Sequence, residues 1–368
     1  MGGNEPTSNA RMSMTGRRVV LTLFSAGLLF CSAVASAQGF AVQGFDPAPP
    51  GDRFFGVSDG RVRGLLEGHA ALVGNYALRP LRGYTLADGA EFITQELWVN
   101  AGLALALAEA GLLSVDVPID LIERGDAGYT TDPESGKLGD IRLTLRAALA
   151  GDHWKKWSLG AEVHVYVPSG DQDALIGDGK ARAAPHLALS GELSSFSWAL
   201  NAGYLFRKHE DVLLGEVGSA ITFGGGAALL LLRQSLQLGV EVYGHTVTAT
   251  ELFSDRGTLL EAVFGPKLRA GNLVIGAGVG HGFTEAPGSA ALRVLLSLSL
   301  SGDERVLDRD GDGLYDDHDR CADDPGFESD GCPSPDRDGD TIVDAHDACP
   351  TRAGLVHADP KKNGCPAS

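Results

Sequence analysis

Apolar and polar residues alternate with a period of two along most of the chain, from about Ala70 to Leu300. In one segment Leu159, Ala161 and Val163 are separated by less apolar neighbours. Successive side chains of a β-strand point to opposite faces, so this pattern predicts strands with one apolar and one polar face. Twelve such segments are predicted, near residues 70–80, 92–107, 112–124, 139–150, 158–168, 181–193, 196–208, 217–232, 235–248, 259–270, 272–283 and 289–301.

The connections between these segments alternate between short and long. Short turns are predicted at 108–111, 152–156, 194–195, 233–234 and 271–272, and longer polar loops at 82–89, 125–137, 169–180, 208–216, 249–258 and 284–288. Many segments are long enough for a tilted strand to cross a bilayer, and this alternation is typical of outer-membrane barrels. We therefore predict an all-β fold, an up-and-down transmembrane β-barrel of about 12 antiparallel strands at 67–302, surrounded by outer-membrane lipid.

A soluble sandwich of two antiparallel sheets would also bury one apolar face of each strand. The polar face favours the barrel, because its many residues of both charge signs could pair across a lumen. These residues are Asp116, Asp120, Arg142, Arg146, Glu162, His164, Asn201, Arg207, Glu241, Lys267, Arg269 and Arg293. An even number of strands would place the start of the first strand and the end of the last strand on the same, periplasmic side of the membrane.

A row of glycines lies on the predicted inward face of one strand, at Gly276, Gly278, Gly280 and Gly282. Such a row creates room along the wall, which could form a narrow pore or a ligand groove. It could equally accommodate a close backbone or a bulky opposing side chain. Both interpretations stay open at this stage.

The N-terminus has the features of a secretory signal peptide at residues 1–37. Arg17 and Arg18 precede an apolar run from Val19 to about Val34, and Ala35–Ala37 forms an A-x-A cleavage site. A single membrane anchor is the alternative. Residues 38–66 include a proline-rich stretch, and we expect them to form an extended periplasmic lead-in.

Two aspartate ladders, each ending at a cysteine, begin 28 residues apart at Asp308 and Asp336. Carboxylates at loop positions 1, 3, 5, 9 and 12, with a backbone carbonyl at position 7, suit calcium, which binds six to eight oxygen ligands. A plain acidic linker is the alternative. The predicted ligands are Asp308, Asp310, Asp312, Leu314 through its carbonyl, Asp316 and Asp319 in the first ladder, and Asp336, Asp338, Asp340, Ile342 through its carbonyl, Asp344 and Asp347 in the second.

The acidic charge of the chain is concentrated in this C-terminal region. Residues 303–368 contain 18 acidic and 7 basic residues, so they contribute −11 of the total net charge of −18. This negative charge would repel the phosphate backbone of nucleic acid, so no nucleic-acid partner is predicted. The region also holds four cysteines, which in an exported chain predict disulfides. Three pairings are possible; we favour the local one, Cys321 with Cys332 and Cys349 with Cys365.

The ladders resemble thrombospondin type 3 calcium repeats, whose signature is D-x-D-x-D-G-x-x-D-x-x-D-x-C. The first copy, Asp308 to Cys321, matches throughout, whereas the second has Thr341 in place of the glycine. That position turns sharply, so a β-branched residue there is predicted to be strained. With the proline-rich stretch and the Asn363-Gly-Cys-Pro366 ending, the chain resembles OmpA-family outer-membrane proteins, particularly myxobacterial ones. The peptidoglycan-binding domain of that family is not expected here.

No enzymatic activity is predicted from the sequence. His209-Glu210 lacks the second histidine of a zincin, and His164 and His245 are interpreted as structural. We predict a structural or porin-like role in the outer membrane, with the N-terminus and a calcium-binding, disulfide-clamped tail in the periplasm. The alternative is a secreted or surface β-protein in calcium-dependent adhesion, for which an envelope or surface protein would be the partner.

Overall fold

The computed structural model describes residues 41, 43–62, 64, 66–81, 93–108, 110–125, 136–151, 157–170, 176–193, 195–212, 215–249, 251–302, 310, 319–326 and 330–366. The predicted signal peptide therefore lies outside the described residues. The chain divides into two compact units, with the boundary between residues 304 and 305. No helix within the described ranges is long and apolar enough to cross a membrane.

The first unit is built almost entirely of antiparallel strands. In chain order the described strands are β1 (Leu66–Leu78), β2 (Gln95–Leu107), β3 (Gly111–Arg124), β4 (Lys137–Leu138), β5 (Ile141–Gly151), β6 (Trp157–Val167), β7 (Arg182–Glu192), β8 (Phe196–Leu205), β9 (Glu210–Val212), β10 (Gly215–Val217), β11 (Ala220–Leu231), β12 (Leu236–Val247), β13 (Thr258–Ala270), β14 (Leu273–Gly282) and β15 (Leu292–Leu300). Three of these are short: β4 pairs with β3, and β9 and β10 form a separate hairpin.

The other twelve described strands close into a barrel. Each pairs with its neighbours in chain order, and β1 also pairs with β15, from Ala70 opposite Leu300 to Leu78 opposite Leu292. The predicted all-β barrel of about 12 antiparallel strands is therefore confirmed. The pairing of β1 with β15 also places the start of the first strand and the end of the last strand at the same end of the barrel.

The two faces of the strands divide as the alternation predicts. Outward side chains such as Leu103, Leu187 and Leu296 are 55–62% exposed, whereas the inward Arg146 and Glu261 are completely buried. A soluble sandwich would bury such leucines, but an outer-membrane barrel presents them to lipid. The apolar outer surface is therefore the lipid-facing surface of the barrel.

The two ends of the barrel differ in their connections. The strand ends joined by the short connections at 108–110, 152–156, 193–195, 232–235 and 271–272 define one end of the barrel, called here the short-turn end. The strand ends joined by the longer connections at 79–94, 125–140, 168–181, 206–219, 248–257 and 283–291 define the other end, the long-loop end. The predicted alternation of short and long connections is confirmed.

Residues 43–62 occupy the lumen, and they are called here the internal segment. Phe45 and Val57 are completely buried, and Phe54 is 2% exposed. The expectation that this stretch forms a lead-in outside the barrel is wrong for these residues. The physical reason is that its carbonyls, amides and charged groups find partners on the polar inner wall, as described below.

The internal segment runs through the barrel from one end to the other. The amide of Ala41 donates to Asp178 in a connection at the long-loop end, while Val62 packs against Ala106 and Leu112 beside a short turn. The chain then enters β1 from the short-turn end. Ala41 therefore lies at the end opposite to the last strand's C-terminus. The location of the N-terminus and the tail in the periplasm stays a prediction.

The second unit is compact and mostly irregular. Its described regular structure is a 3-10 helix at Asp344–His346. Disulfides join Cys321 to Cys332 and Cys349 to Cys365, which is the local pairing favoured from the sequence. Each closes a loop, with sequence separations of 11 and 16 residues. Closing loops of this length stabilises a region with little apolar core by restricting its unfolded state.

Candidate functional site: the lumen

Inward-facing glycines of the barrel wall make room for the internal segment. A Cβ added to Gly226 would lie 2.9 Å from the ring of Phe54, and one added to Gly276 would lie 3.0 Å from the ring of Phe55. At Gly160 an added Cβ would lie 2.3 Å from the carbonyl oxygen of Gly60. The predicted glycine row on β14 is therefore a packing surface for a bulky residue and not an open groove at Gly276. The residue it accommodates comes from the internal segment.

Arg146 on β5 is the centre of a buried ionic network that holds this segment. Its guanidinium makes a bidentate pair with Asp52, with N–O distances of 2.7 and 2.8 Å. It also donates to Ser58 Oγ at 2.5 Å and to Glu162 on β6 at 2.9 Å. Arg146 is completely buried. Removing one partner of such a pair leaves an uncompensated buried charge, which costs about 3–5 kcal/mol.

Glu241 on β12 receives three consecutive backbone amides of the internal segment. Its carboxylate accepts hydrogen bonds from Phe55, Gly56 and Val57 at 2.6, 2.8 and 3.1 Å. Glu241 is 3% exposed. Without these bonds the segment's amides would be buried and unsatisfied, so Glu241 fixes the conformation of the chain at the middle of the lumen.

Further contacts hold the internal segment at Arg53 and Arg61, on either side of the residues bound by Glu241. Glu192 on β7 pairs with both Arg53 and Arg61 of the internal segment. Lys267 on β13 donates to the Arg53 carbonyl at 2.8 Å, and its ammonium lies 4.3 Å from the Phe55 ring centroid. The segment is thus bound to strands on several sides of the barrel.

A cavity of about 190 Å³ remains in the lumen beside the internal segment. Among the residues that line it are Tyr166, Tyr243, Arg142, Arg182 and Arg207. The arginines are already partnered: for example, Arg182 and Arg207 both pair with a buried aspartate, at 3.0 and 2.5 Å. The cavity is therefore polar and aromatic, with its charges largely compensated.

That aspartate is Asp178, in the connection between β6 and β7. Its burial opposes ionisation, but the guanidinium groups of Arg182 and Arg207 outweigh this effect and hold its pKa below the ordinary value. Asp178 also accepts the amide of Ala41 at 2.8 Å. An ionised Asp178 therefore joins Ala41, just before the internal segment, to the long-loop end.

One group of lumenal residues was not identified as a site from the sequence. Glu162, His164 and His186 lie together on the wall, with one potential ligand atom from each within 4.8 Å of the others. The alternation places His164 on the inner face of the barrel, but the sequence does not show which residues lie beside it. The missing signal was the pairing of β6 with β7, which sets Glu162 directly opposite His186.

The second aspartate ladder is described throughout, and its acidic residues converge. One carboxylate oxygen from each of Asp336, Asp338 and Asp340 lies within 4.8 Å of the other two. Asp347 is 9% exposed, and its Oδ2 has no hydrogen-bond partner among the described residues. Slight desolvation and the neighbouring Asp340 carboxylate raise the pKa of Asp338. These donors are hard oxygens of the type that calcium binds, so the residues fit that ion.

The rest of the ladders divides between described and undescribed residues. Asp344 accepts the amide of Arg337 at 3.0 Å, and Ile342 is 7% exposed. In the first ladder Asp319 is 9% exposed, and its Oδ2 likewise lacks a hydrogen-bond partner in the described part of the chain. Asp310 is also described. The predicted ligands Asp308, Asp312, Leu314 and Asp316 lie outside the described residues.

A closed barrel with a lipid-facing apolar surface and a polar lumen defines an outer-membrane β-barrel of the channel and porin class. The chain belongs to the family described as "Putative MetA-pathway of phenol degradation", whose model matches residues 80–299. That match ends before the aspartate ladders, so their resemblance to thrombospondin type 3 repeats and the OmpA-family resemblance stay predictions. Among curated protein sequences, none matches this chain.

Solved structures with a similar fold are outer-membrane channels and porins. The COG4313 outer membrane channel from Pseudomonas putida F1 is 13% identical with a TM-score of 0.50, and the match covers 66% of this chain and 98% of that one. The NanC porin is 8% identical with a TM-score of 0.44, covering 64% and 99%. The KdgM porin is 11% identical with a TM-score of 0.41, covering 63% and 98%. At 13% identity the likeness to the COG4313 channel shows the fold alone.

Proposed function

We propose that the barrel is a channel for small solutes and that the internal segment closes its lumen in this conformation. The observation that carries the proposal is the segment's attachment: Arg146, Glu192 and Glu241 bind it through buried charged contacts. Such contacts fix one conformation and can be replaced by water if the segment moves. The proposal gives the barrel no enzymatic activity.

The cavity supports a solute of modest size. Its volume of about 190 Å³ is comparable to the ~150 Å³ cavity that holds benzene in an engineered protein. The tyrosine rings that line it can stack on an aromatic ring, and the family description mentions phenol degradation. We therefore propose small solutes up to about one aromatic ring as the substrate class.

Planar-bilayer recordings test the channel proposal. Glu241→Gln weakens the acceptor of three backbone amides, and charge-assisted hydrogen bonds contribute about 1.5–3 kcal/mol each. We expect discrete openings of the wild-type channel and an open fraction at least about tenfold larger for this variant. Glu261→Gln is the matched control, because Glu261 is a buried lumenal acid that pairs with Arg293 of the wall. Absence of discrete conductance in all three proteins would refute the proposal.

We further propose that both aspartate ladders bind calcium and that calcium binding orders the tail. The ordered tail would act as a spacer or docking arm in the periplasm. The support for this proposal is the clustering of Asp336, Asp338 and Asp340, together with Asp347 Oδ2, which has no hydrogen-bond partner in the part of the chain that is described. Calcium would neutralise the carboxylates, whose mutual repulsion otherwise opposes a compact tail. A calcium-dependent contact of the tail with another envelope or surface protein is the adhesive form of this proposal.

Calcium titration of the full-length protein tests the tail. We expect calcium to change its far-UV circular dichroism and to protect bonds beyond residue 304 from proteolysis, with chelator reversing both effects. Asp338→Asn with Asp340→Asn should lose the response of the second ladder. The control is Asp359→Asn, an acidic residue of the tail outside the ladders. Unchanged spectra and protease sensitivity would contradict calcium binding.

A further inference from the structure

Glu162, His164 and His186 form a compact set of nitrogen and oxygen donors on the lumen wall. Glu162 and His164 are two residues apart on β6 and so share the inward face, and Glu162 is directly opposite His186 on β7. The two imidazole rings have centroids 4.8 Å apart. We propose that these three residues bind a divalent transition-metal ion of the zinc, copper or nickel type.

The surroundings of both histidines match those of metal ligands. Nδ1 of His164 lies 2.8 Å from Thr144 Oγ1, and Nε2 of His186 lies 2.7 Å from Thr222 Oγ1. Metal-binding histidines characteristically have their second ring nitrogen held by a hydrogen-bond partner, which fixes the ring and its tautomer. Here each ring keeps one nitrogen for another interaction.

The ring nitrogens that do not contact a threonine are suited to binding a cation. Nδ1 of His186 is buried without a hydrogen-bond partner among the described residues. Nε2 of His164 lies 3.3 Å from Glu162 Oε1. If Thr144 accepts a hydrogen bond from Nδ1–H of His164, then Nε2 of His164 carries a lone pair that faces the Glu162 carboxylate. A bound cation would stabilise this arrangement. Buried polar atoms without partners are rare and costly.

Neighbouring charges define which ligand atoms are free. Arg146 and Ser58 both contact Oε2 of Glu162, each at 2.9 Å. This leaves Oε1 for the metal. Two imidazoles and one carboxylate suit borderline transition metals, whereas calcium requires a larger set of oxygens. All three residues line the lumenal cavity, so water or a solute donor can complete a tetrahedral site, as in open zinc sites.

Zinc titration by calorimetry tests this inference on the full-length protein in detergent, with excess calcium to occupy the tail. We expect the wild type to bind one zinc ion in the barrel and His164→Asn and His186→Asn each to abolish that binding. Thr222→Val removes only the partner of His186 and should weaken binding about 10–100-fold. Cobalt provides a second readout, because four-coordinate ligation gives it a much more intense visible absorption band than the hydrated ion has.

His245→Asn is the control, since His245 is another histidine of the barrel and is not one of the three donors. It should bind zinc as the wild type does. Heat-modifiable mobility on gels establishes that each variant retains the closed barrel. The inference is overturned if the wild-type barrel binds no zinc, or if folded His164→Asn and His186→Asn proteins bind it with unchanged affinity. Because these measurements record metal and not conductance, they are independent of the channel proposal.

Discussion

At the scale of single residues, Thr341 shows how one substitution can weaken a repeated motif. It has a φ of 75°, in the left-handed region that glycine adopts readily, as the sequence predicts for the position that is glycine in the first ladder. A side chain in this region costs on the order of 1–3 kcal/mol. The second ladder therefore forms its loop against a conformational penalty that the first ladder avoids.

Thr341→Gly should tighten calcium binding by the second ladder. Relief of about 1.4 kcal/mol of strain corresponds to a tenfold gain in affinity, provided that calcium fixes the loop in this conformation. Calorimetry on the full-length protein measures the change. Thr351→Gly lies outside the ladder and should leave the affinity as it is. Equal affinities for the wild type and Thr341→Gly would show that the strain does not limit binding.

At the scale of elements, the strands were predictable and the internal segment was not. Each strand carries its own signal, because apolar and polar side chains alternate with the faces of the sheet. The segment carries none: its proline-rich sequence has no periodicity, and its partners, such as Arg146 and Glu241, lie far along the chain. The pairing of Asp52 with Arg146 spans 94 residues. The inward-facing glycines were the one sequence feature that indicated a close backbone or a bulky side chain against the inner wall.

Gly226→Val on β11 tests whether these glycines hold the segment in place. The added side chain meets the Phe54 ring, and such overpacking costs about 1–3 kcal/mol. We expect faster cleavage by trypsin after Arg53, detected by mass spectrometry of the folded protein. Gly74→Val is the matched control, because a Cβ there would meet no atom nearer than 3.8 Å. Equal cleavage of both variants and the wild type would indicate that the glycines do not position the segment.

At the scale of the whole molecule, one chain supplies both the wall of a barrel and the segment that fills it. The even number of strands brings the start of β1 and the end of β15 to the short-turn end, whereas Ala41, just before the internal segment, lies at the long-loop end. The sequence predicted the barrel, its strand number and its lipid-facing surface from periodicity. It could not predict the filled lumen or the donor set of Glu162, His164 and His186, because both depend on which strands become neighbours.

Thiol labelling of Val57→Cys in isolated outer membranes tests the filled lumen most directly. Val57 is completely buried against Ala199 and Ala228, and cysteine is a small apolar replacement. We predict that a membrane-impermeant maleimide labels this cysteine far more slowly than Asp255→Cys in an exposed connection, and that both label fully after heat unfolding. If Val57→Cys in the folded barrel reacts as fast as Asp255→Cys, the internal segment lies outside the lumen and the account is contradicted.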